Sequence, residues 1–414
     1  MNINSMKLTN TLTTKEISGP SSFKPGQILY GKVHYIDQFG HARLQIGHEI
    51  IVAKIEAPLD VQKDYWFEVM NTEGKVQLKV LENIHHYDSL LSYLKLPNHS
   101  RMKQLLVLWN EQNLPFDKTI LNKCANWIHQ ETDVNKVIET VKFMLKEHLP
   151  LTNNIFNSLY SLKNGVPLSS MIEHLFFSLN NDERIQNLPL LKELELLLTK
   201  RADSNSFSNT NWGKGNDVFR VLHHLTNLFS FKERVDKEGS EESIRLNSEL
   251  VKILQLNHVG NQVKIDAEKV LNRLNGIQLN NIDKNDFLQL MITLPIPFKE
   301  KLMDTSIQFI GKKRDDGILD PDYCNIILDL DMPNVGKVIS RMYVQNRKIS
   351  IHILSGMKNM EILASPFTRV LNDNLEKINY TLVSLKFDSI DENDRKSTNE
   401  VVQTIQPGSL DVKI

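Results

Sequence analysis

In the last quarter of the chain, apolar residues recur at every second position in separate short runs. Cys324, Ile326, Leu328 and Leu330 form the first, Val338, Met342 and Val344 the second, and Ile349, Ile351 and Ile353 the third. Thr381, Val383, Leu385 and Phe387 form the last. A period of two places such side chains on one face of a pleated strand. Val344-Gln345-Asn346-Arg347-Lys348-Ile349 is polar and short enough to be a hairpin connection. Between the third and last runs, Met360, Leu363, Phe367, Val370, Leu371, Leu375 and Ile378 fall at helical spacing. The order strand, strand, strand, helix, strand predicts a small sheet with one helix closing its apolar face. Ser365-Pro366 interrupts the helical pattern. Either Ser365 caps a helix that begins at Pro366, or a helix from near Met357 kinks there.

Upstream, residues 283–301 carry Leu294-Pro295-Ile296-Pro297-Phe298, where alternate prolines force an extended path into this C-terminal domain. Thr305, Ile307 and Phe309 then read as a strand. At the other end of the chain, residues 23–83 read as five short strands separated by turn signals such as Asp37-Gln38-Phe39-Gly40 and Asn71-Thr72-Glu73-Gly74. Five strands in so few residues predict a small barrel of the OB or SH3-like type. Residues 84–282 turn helical, with breaks at Leu114-Pro115, His148-Leu149-Pro150, Gly165-Val166-Pro167 and Leu188-Pro189. Thr119-Ile120, Thr152-Asn153 and Asp266 are the expected helix caps there. Residues 200–215 and 237–242 read as exposed loops. The polar ends, 1–22 and 389–414, hold too little apolar surface to order and are expected to be disordered.

The fold class that follows is multidomain α+β. An N-terminal β-barrel spans 23–83, an all-α domain 84–282, and a sheet with one packed helix 283–388. The 414 residues suffice for three domains. A net charge of −1 provides no global basic field, so nucleic acid is not the expected partner. Around the barrel, Lys24, Lys32, Arg43 and Lys54 are offset by Asp37, Glu49, Glu56, Asp60 and Asp64. A nucleic-acid-binding adaptor using the barrel is the alternative reading, and it requires a basic face with stacking aromatics. Two cysteines, Cys124 and Cys324, fit a reducing compartment and are read as buried, inert thiols. No apolar run approaches bilayer length and no Sec-type leader is read, so a cytoplasmic protein without membrane insertion is expected.

The residues that carry chemistry elsewhere are missing at the necessary spacing. His85-His86 and His223-His224 are adjacent pairs, which a helix splays about 100° apart, and no further ligand stands nearby to complete a zinc site. Asp315, Asp316, Asp320, Asp322, Asp329 and Asp331 form an acidic neighbourhood without a calcium-loop pattern. No phosphate-cradling glycine loop and no GxSxG elbow is present. The expectation is a protein that is not an enzyme and that has no cofactor, no metal and no small-molecule substrate.

One segment adds a family resemblance. The first strand runs into Leu330-Asp331-Met332-Pro333-Asn334-Val335-Gly336, followed by the hairpin, the helix and a short last strand. This resembles the C-terminal domain of the flagellar hook-length control proteins, the FliK-type family, which carries a Leu-x-Pro-x-x-Leu-Gly segment in that place. Leu330 and Gly336 match, Val335 replaces the leucine, and the proline sits one place later. Leu271 to Gly276 and Leu294 to Pro297 also look like segments that precede that domain in relatives. The resemblance implies a partner, the cytoplasmic domain of the export-gate switch component (FlhB-type), and an effect on which substrates are exported. Asp331, Pro333, Asn334, Gly336, Asn379 and Tyr380 are the expected contact residues. It also implies that the chain itself is exported through a type III apparatus in some relatives. Relatives that measure hook length carry a long Pro/Ser/Thr/Gln-rich extended region; this chain has helical and β-rich sequence in its place, which fits a paralogue keeping only the docking domain.

Overall fold

A computed structural model describes residues 5–8, 25–39, 41–47, 49–54, 58–72, 75–81, 84, 86–112, 114, 116–163, 165–198, 215–229, 245–284, 286–298, 301–332 and 335–390. Grouped by proximity, the chain falls into two compact units, 1–156 and 157–414. The helical stretch expected as one domain is shared between them. The expected loops at 200–214 and 237–242 and the tail from 391 lie outside the described residues.

The first unit is built on a closed antiparallel barrel. Strands β2 (Gln27–Ile36), β3 (His41–Ile46), β4 (Glu49–Lys54), β5 (Asp64–Thr72) and β6 (Lys75–Val80) stand where the alternation places them. The expectation of disorder over 1–22 is corrected at residues 5–8; the rest of that stretch lies outside the described residues. Ser5–Leu8 form a strand, β1, between β4 and β6, with Lys7 opposite both Lys54 and Gln77. The cause is the edge problem: five strands leave β4 and β6 each with an unpaired row of backbone groups, and one short segment satisfies both. Pairing of β2 with β3 completes the ring. Its interior is filled by alternate residues, among them Val33, Leu44, Ala53, Phe67, Val69 and Leu78.

One side of this barrel is covered. Phe116–Asp117, directly after the break read at Leu114-Pro115, forms strand β7 on β2. The Phe116 ring meets Trp66 of β5 edge-on at 5.0 Å, and Tyr30 and Tyr87 flank the same indole. Helices α1 (Tyr87–Leu94), α2 (Ser100–Glu111), α3 (Lys118–Gln130) and α4 (Val134–Lys146) follow. The Asp117 and Asp133 carboxylates, rather than the expected Thr119, accept the first free N–H groups of α3 and α4. Trp127 of α3 stacks on Phe156 at 4.1 Å and donates from Nε1 to the Asn153 side chain at 2.9 Å.

In the second unit, α6 (Leu168–Asn180), α7 (Pro189–Leu198), α8 (Gly215–Leu228), α9 (Leu246–Gln255) and α10 (Asn261–Leu279) share one leucine-rich core. That core includes Leu294, Ile296 and Leu302 of the sheet. Asp266, the expected cap, instead lies buried inside α10, where it accepts from Gln262. The helix begins earlier because the Gly260 N–H is held by Asp182 at 2.9 Å. Asp182 also accepts from the Arg184 side chain, and these donors pull its carboxyl down to about 2.

The sheet of this unit runs β8 (Ile282–Lys284), β9 (Phe287–Phe298), β10 (Lys301–Lys313), β11 (Leu319–Met332), β12 (Gly336–Gln345), β13 (Lys348–Ser355) and β14 (Thr381–Ser389), in that spatial order. All neighbours are antiparallel except β13 and β14, which are parallel and joined through helix α11 (Met360–Lys377). Pro295 and Pro297 lie in β9 opposite Asp304 and Leu302 of β10, beyond the stretch that β8 pairs.

Two contacts tie helices to sheet. The Asp304 carboxylate of β10 accepts from the backbone N–H groups of Leu168 and Ser169, at 2.5 and 2.7 Å. It thus caps α6 from another element, at an end where Pro167 offers no side-chain cap. Arg273 of α10, beside Asp304, donates to the Val166 carbonyl at 2.7 Å. Gly276 of α10 passes so close to α5 (Asn153–Ser161) that an added Cβ would lie 2.2 Å from the Ser158 carbonyl oxygen. Asp304→Ala is therefore expected to cost about 1 to 2 kcal/mol of unfolding free energy in denaturant titration. Gly276→Ala is expected to destabilise by about 1 to 3 kcal/mol, although alanine is the better helix former, because the backbone must move. An unchanged midpoint in either variant contradicts the corresponding contact. For Asp182, the lowered carboxyl stabilises the fold above the unfolded-state value and loses that contribution as pH falls toward about 2. Asp182→Asn should therefore lower Tm at neutral pH, and the gap to the parent should narrow in acid.

Candidate docking surface on the C-terminal sheet

The apolar face read from the alternation exists over β11 to β13. Cys324, Val344, Ile349 and Ile351 are its buried centre, with Ile326, Met342 and Ile353 packed beside them. The last strand departs from the expected parity. Its register against β13 shifts between Ile349 and Ser350, so Leu382 and Leu385 both meet the core while Val383 is 60% exposed. A β-bulge places two residues of one strand opposite one of the other and reverses the alternation beyond it. Thr381 and Val383 are thus not on the buried face.

Helix α11 closes the sheet only in part. It runs unbroken from Met360 through Pro366, and the Ser365 hydroxyl donates to the Ile362 carbonyl at 3.2 Å. That carbonyl is the one the proline, lacking N–H, leaves unserved. Leu371 and Leu375, in the C-terminal half, pack on the sheet core. In the N-terminal half, Ile362 is 69% and Phe367 68% exposed, with Leu363 and Val370 more than half exposed. Spacings of one, four, five and eight residues set Ile362, Leu363, Pro366, Phe367 and Val370 on one stripe. Leu363, Phe367 and Val370, expected to pack inward, face solvent. The stripe belongs to the same βαβ unit as β14, the edge strand of the sheet, whose far side has no strand partner among the described residues.

The expected contact residues separate into two groups. Asp331 is exposed at the end of β11, and Gly336 opens β12 with a φ of +74°, a conformation glycine adopts without strain. Pro333 and Asn334 lie outside the described residues. Asn379 and Tyr380 close α11. Asn379 adopts φ +62° and donates to Glu376, while the Tyr380 N–H reaches back to Leu375. This is a Schellman end, with Tyr380 and Leu375 both on the sheet core. The Tyr380 hydroxyl donates to the Pro321 carbonyl at 3.2 Å, and its ring lies under Arg347. Pro321 and Asp331 are ten residues apart on one strand, about 33 Å. The two groups therefore lie at opposite ends of the sheet and form no single compact patch. The exposed stripe of α11 escaped sequence reading because helical periodicity marks which residues share a face, not whether anything covers it.

The acidic neighbourhood is distributed among ion pairs. Lys337 sits 3.1 Å from Asp329, Arg347 3.1 Å from Asp322, and Arg314 3.6 Å from Asp320. His224 faces Glu193 at 3.2 Å, and His223 lies against Asn227. Among the described residues no three His, Cys, Asp or Glu side chains group as metal ligands, and no helix is long and apolar enough to cross a membrane. Burial pushes the Cys324 thiol up, with Asp320 and Asp322 adding to it, and burial pushes the Cys124 thiol up strongly.

No family model matches the chain, and no solved structure matches it. A Bacillus subtilis (strain 168) protein, described as uncharacterized protein YlqG, is 25% identical over 178 residues, 42% of this chain. The match spans 30% of that protein's own length.

Both thiols being protonated and enclosed, neither Cys124 nor Cys324 should alkylate with iodoacetamide at neutral pH in the native state, and both should do so in denaturant. Mass spectrometry reads the outcome, and rapid native labelling of either contradicts the packing described for it.

Proposed function

We propose that this protein is a non-enzymatic docking protein of FliK-like type. Its C-terminal domain binds the cytoplasmic domain of an export-gate switch component, or a homologue of one, and influences which substrates are exported. The reading places the protein in the cytoplasm. The observation that supports it most is the exposed stripe Ile362, Leu363, Phe367 and Val370, lying within the segment that resembles the family. Contiguous exposed apolar surface is uncommon on soluble domains and marks interaction sites. A partner segment can cover the stripe and also add backbone hydrogen bonds along the edge of β14 that no described strand pairs.

Within this proposal the contact surface differs from the residues first expected. Asn379 and Tyr380 have structural duties at the end of α11. Asp331 and Gly336 remain exposed and available at the far turn. The partner is therefore taken to engage α11 and β14 first.

Calorimetry of the full chain against the purified cytoplasmic domain of an export-gate homologue from the same genome tests the reading. Binding is expected in the micromolar range, and Phe367→Glu should weaken it at least about tenfold, the loss of one buried aromatic anchor. Because Phe367 is exposed, the variant should keep the parent's Tm. No binding at about 50 μM overturns the proposal, and unchanged binding in the variant overturns the assigned surface.

A further inference from the structure

The face of the C-terminal sheet opposite α11 carries a pattern of its own. Register sets its side chains in rows across β11, β12, β13 and β14. The first row is Tyr323, Gln345 and Lys348, the second Asn325, Tyr343, Ser350 and Ser384, and the third Ile327, Arg341, His352 and Lys386. These positions alternate with Cys324, Val344, Ile349, Ile351 and Leu385, which point into the core that Leu371 and Leu375 of α11 close. Tyr323 is 50% and Tyr343 49% exposed, and Lys348 and Lys386 are exposed with them.

No carboxylate belongs to these three rows. The acids of the face begin one row further on, with Asp329 opposite Ile339 and Asp388 beside Leu354, and then Asp331 opposite Lys337. Lys337 sits 3.1 Å from Asp329, and His352 reaches Asp388 at 2.7 Å. Ile339 and Leu354, in that same row, are buried. At the hairpin end, Asp320 and Asp322 are paired with Arg314 and Arg347. One half of the face is thus open and cationic, through Arg341, Lys348 and Lys386, and the other half is closed and mixed in charge.

The two rings stand on neighbouring strands, two residues out of register, a diagonal pair with Cβ atoms about 7 to 8 Å apart. Each can stack one unpaired base. Asn325, Gln345 and Ser350, beside the rings, offer both donors and acceptors for base edges. The lysines at either side match phosphates. A duplex keeps its bases stacked away from the rings, and an acidic peptide satisfies the lysines but leaves the rings without a partner. The near-neutral whole chain is no obstacle, since screening confines the relevant field to about 10 Å at 0.1 M salt.

We infer that this half-face, centred on Tyr323 and Tyr343, binds single-stranded nucleic acid, the tyrosines stacking bases and Lys348 and Lys386 contacting phosphate. It lies across the sheet from the α11 stripe and does not rest on the docking proposed there.

Fluorescence anisotropy of the full chain with a labelled single-stranded RNA of about eight nucleotides tests this, a length that supplies the two or three bases such a sheet stacks. Three phosphate contacts predict an affinity that falls about tenfold to twentyfold between roughly 50 and 200 mM salt. Lys348→Glu should weaken binding at least about fivefold and flatten the salt dependence. Tyr343→Thr, which keeps a good strand former, should weaken it at least about fivefold with the salt dependence unchanged, a split that lost folding does not produce. Arg369→Glu, on α11, should leave RNA binding unaltered. Absence of binding at about 50 μM in low salt overturns the inference. So does equal affinity for a duplex of the same length, binding that survives both Lys348→Glu and Tyr343→Thr, an equal loss in Arg369→Glu, or tighter Lys348-dependent binding to a poly-glutamate peptide than to the RNA.

Discussion

An unpaired strand edge is a row of backbone donors and acceptors that must be matched, covered or left to water. The two sheets of this protein answer that constraint in opposite ways. The barrel closes on itself, and closure is what recruits Ser5–Leu8, a segment with little intrinsic reason to order. The C-terminal sheet, among the described residues, stays open and must end somewhere. At one end it stops with a three-residue strand, and the stretch of β9 beyond it carries prolines that have no N–H to leave unpaired. At the other it stops with nine-residue β14, bulged at Val383 and bearing Lys386 and Asp388, devices that discourage indiscriminate pairing. The open edge and the bare stripe of α11 are thus consequences of one topology.

The helices of the second unit depend on the sheet for more than apolar cover. The α6 N-terminus begins at a proline with no cap of its own, and Asp304 supplies one from β10. A carboxylate at that position is favoured by the free N–H groups and by the helix dipole together. Arg273, beside Asp304, holds the chain just before α6 through the Val166 carbonyl. Cap, arginine and the glycine approach of α10 to α5 fix these helices before the leucine core is counted.

Much of this was legible in the residues. Period-two runs located β2 to β6 and β10 to β13, because a strand with one wet and one dry face must alternate. The same rule failed in β14, where one inserted residue reverses the parity and no side chain announces the insertion. β1 was missed because four residues are too few for a period, and its order comes from two distant edges. Caps were misplaced at α3 and α10 because Thr and Asp satisfy the same chemistry from several positions, and tertiary donors decide among them. The half-covered α11 is a fact of register and packing, and it cannot be counted along the chain.

The resemblance carries two separable roles, docking and length measurement, and the physical argument divides them. A length-measuring segment works by contour: 156 extended residues span roughly 500 Å. The same number folded into one unit has a radius of gyration of about 15 Å. Here the chain up to Phe156 forms a closed barrel and packed helices whose interiors are filled, with Trp109, Trp127 and Phe67 enclosed. Extending that unit would expose its whole core to water, so it cannot lengthen gradually as a spacer does. Our reading therefore takes docking alone from the family.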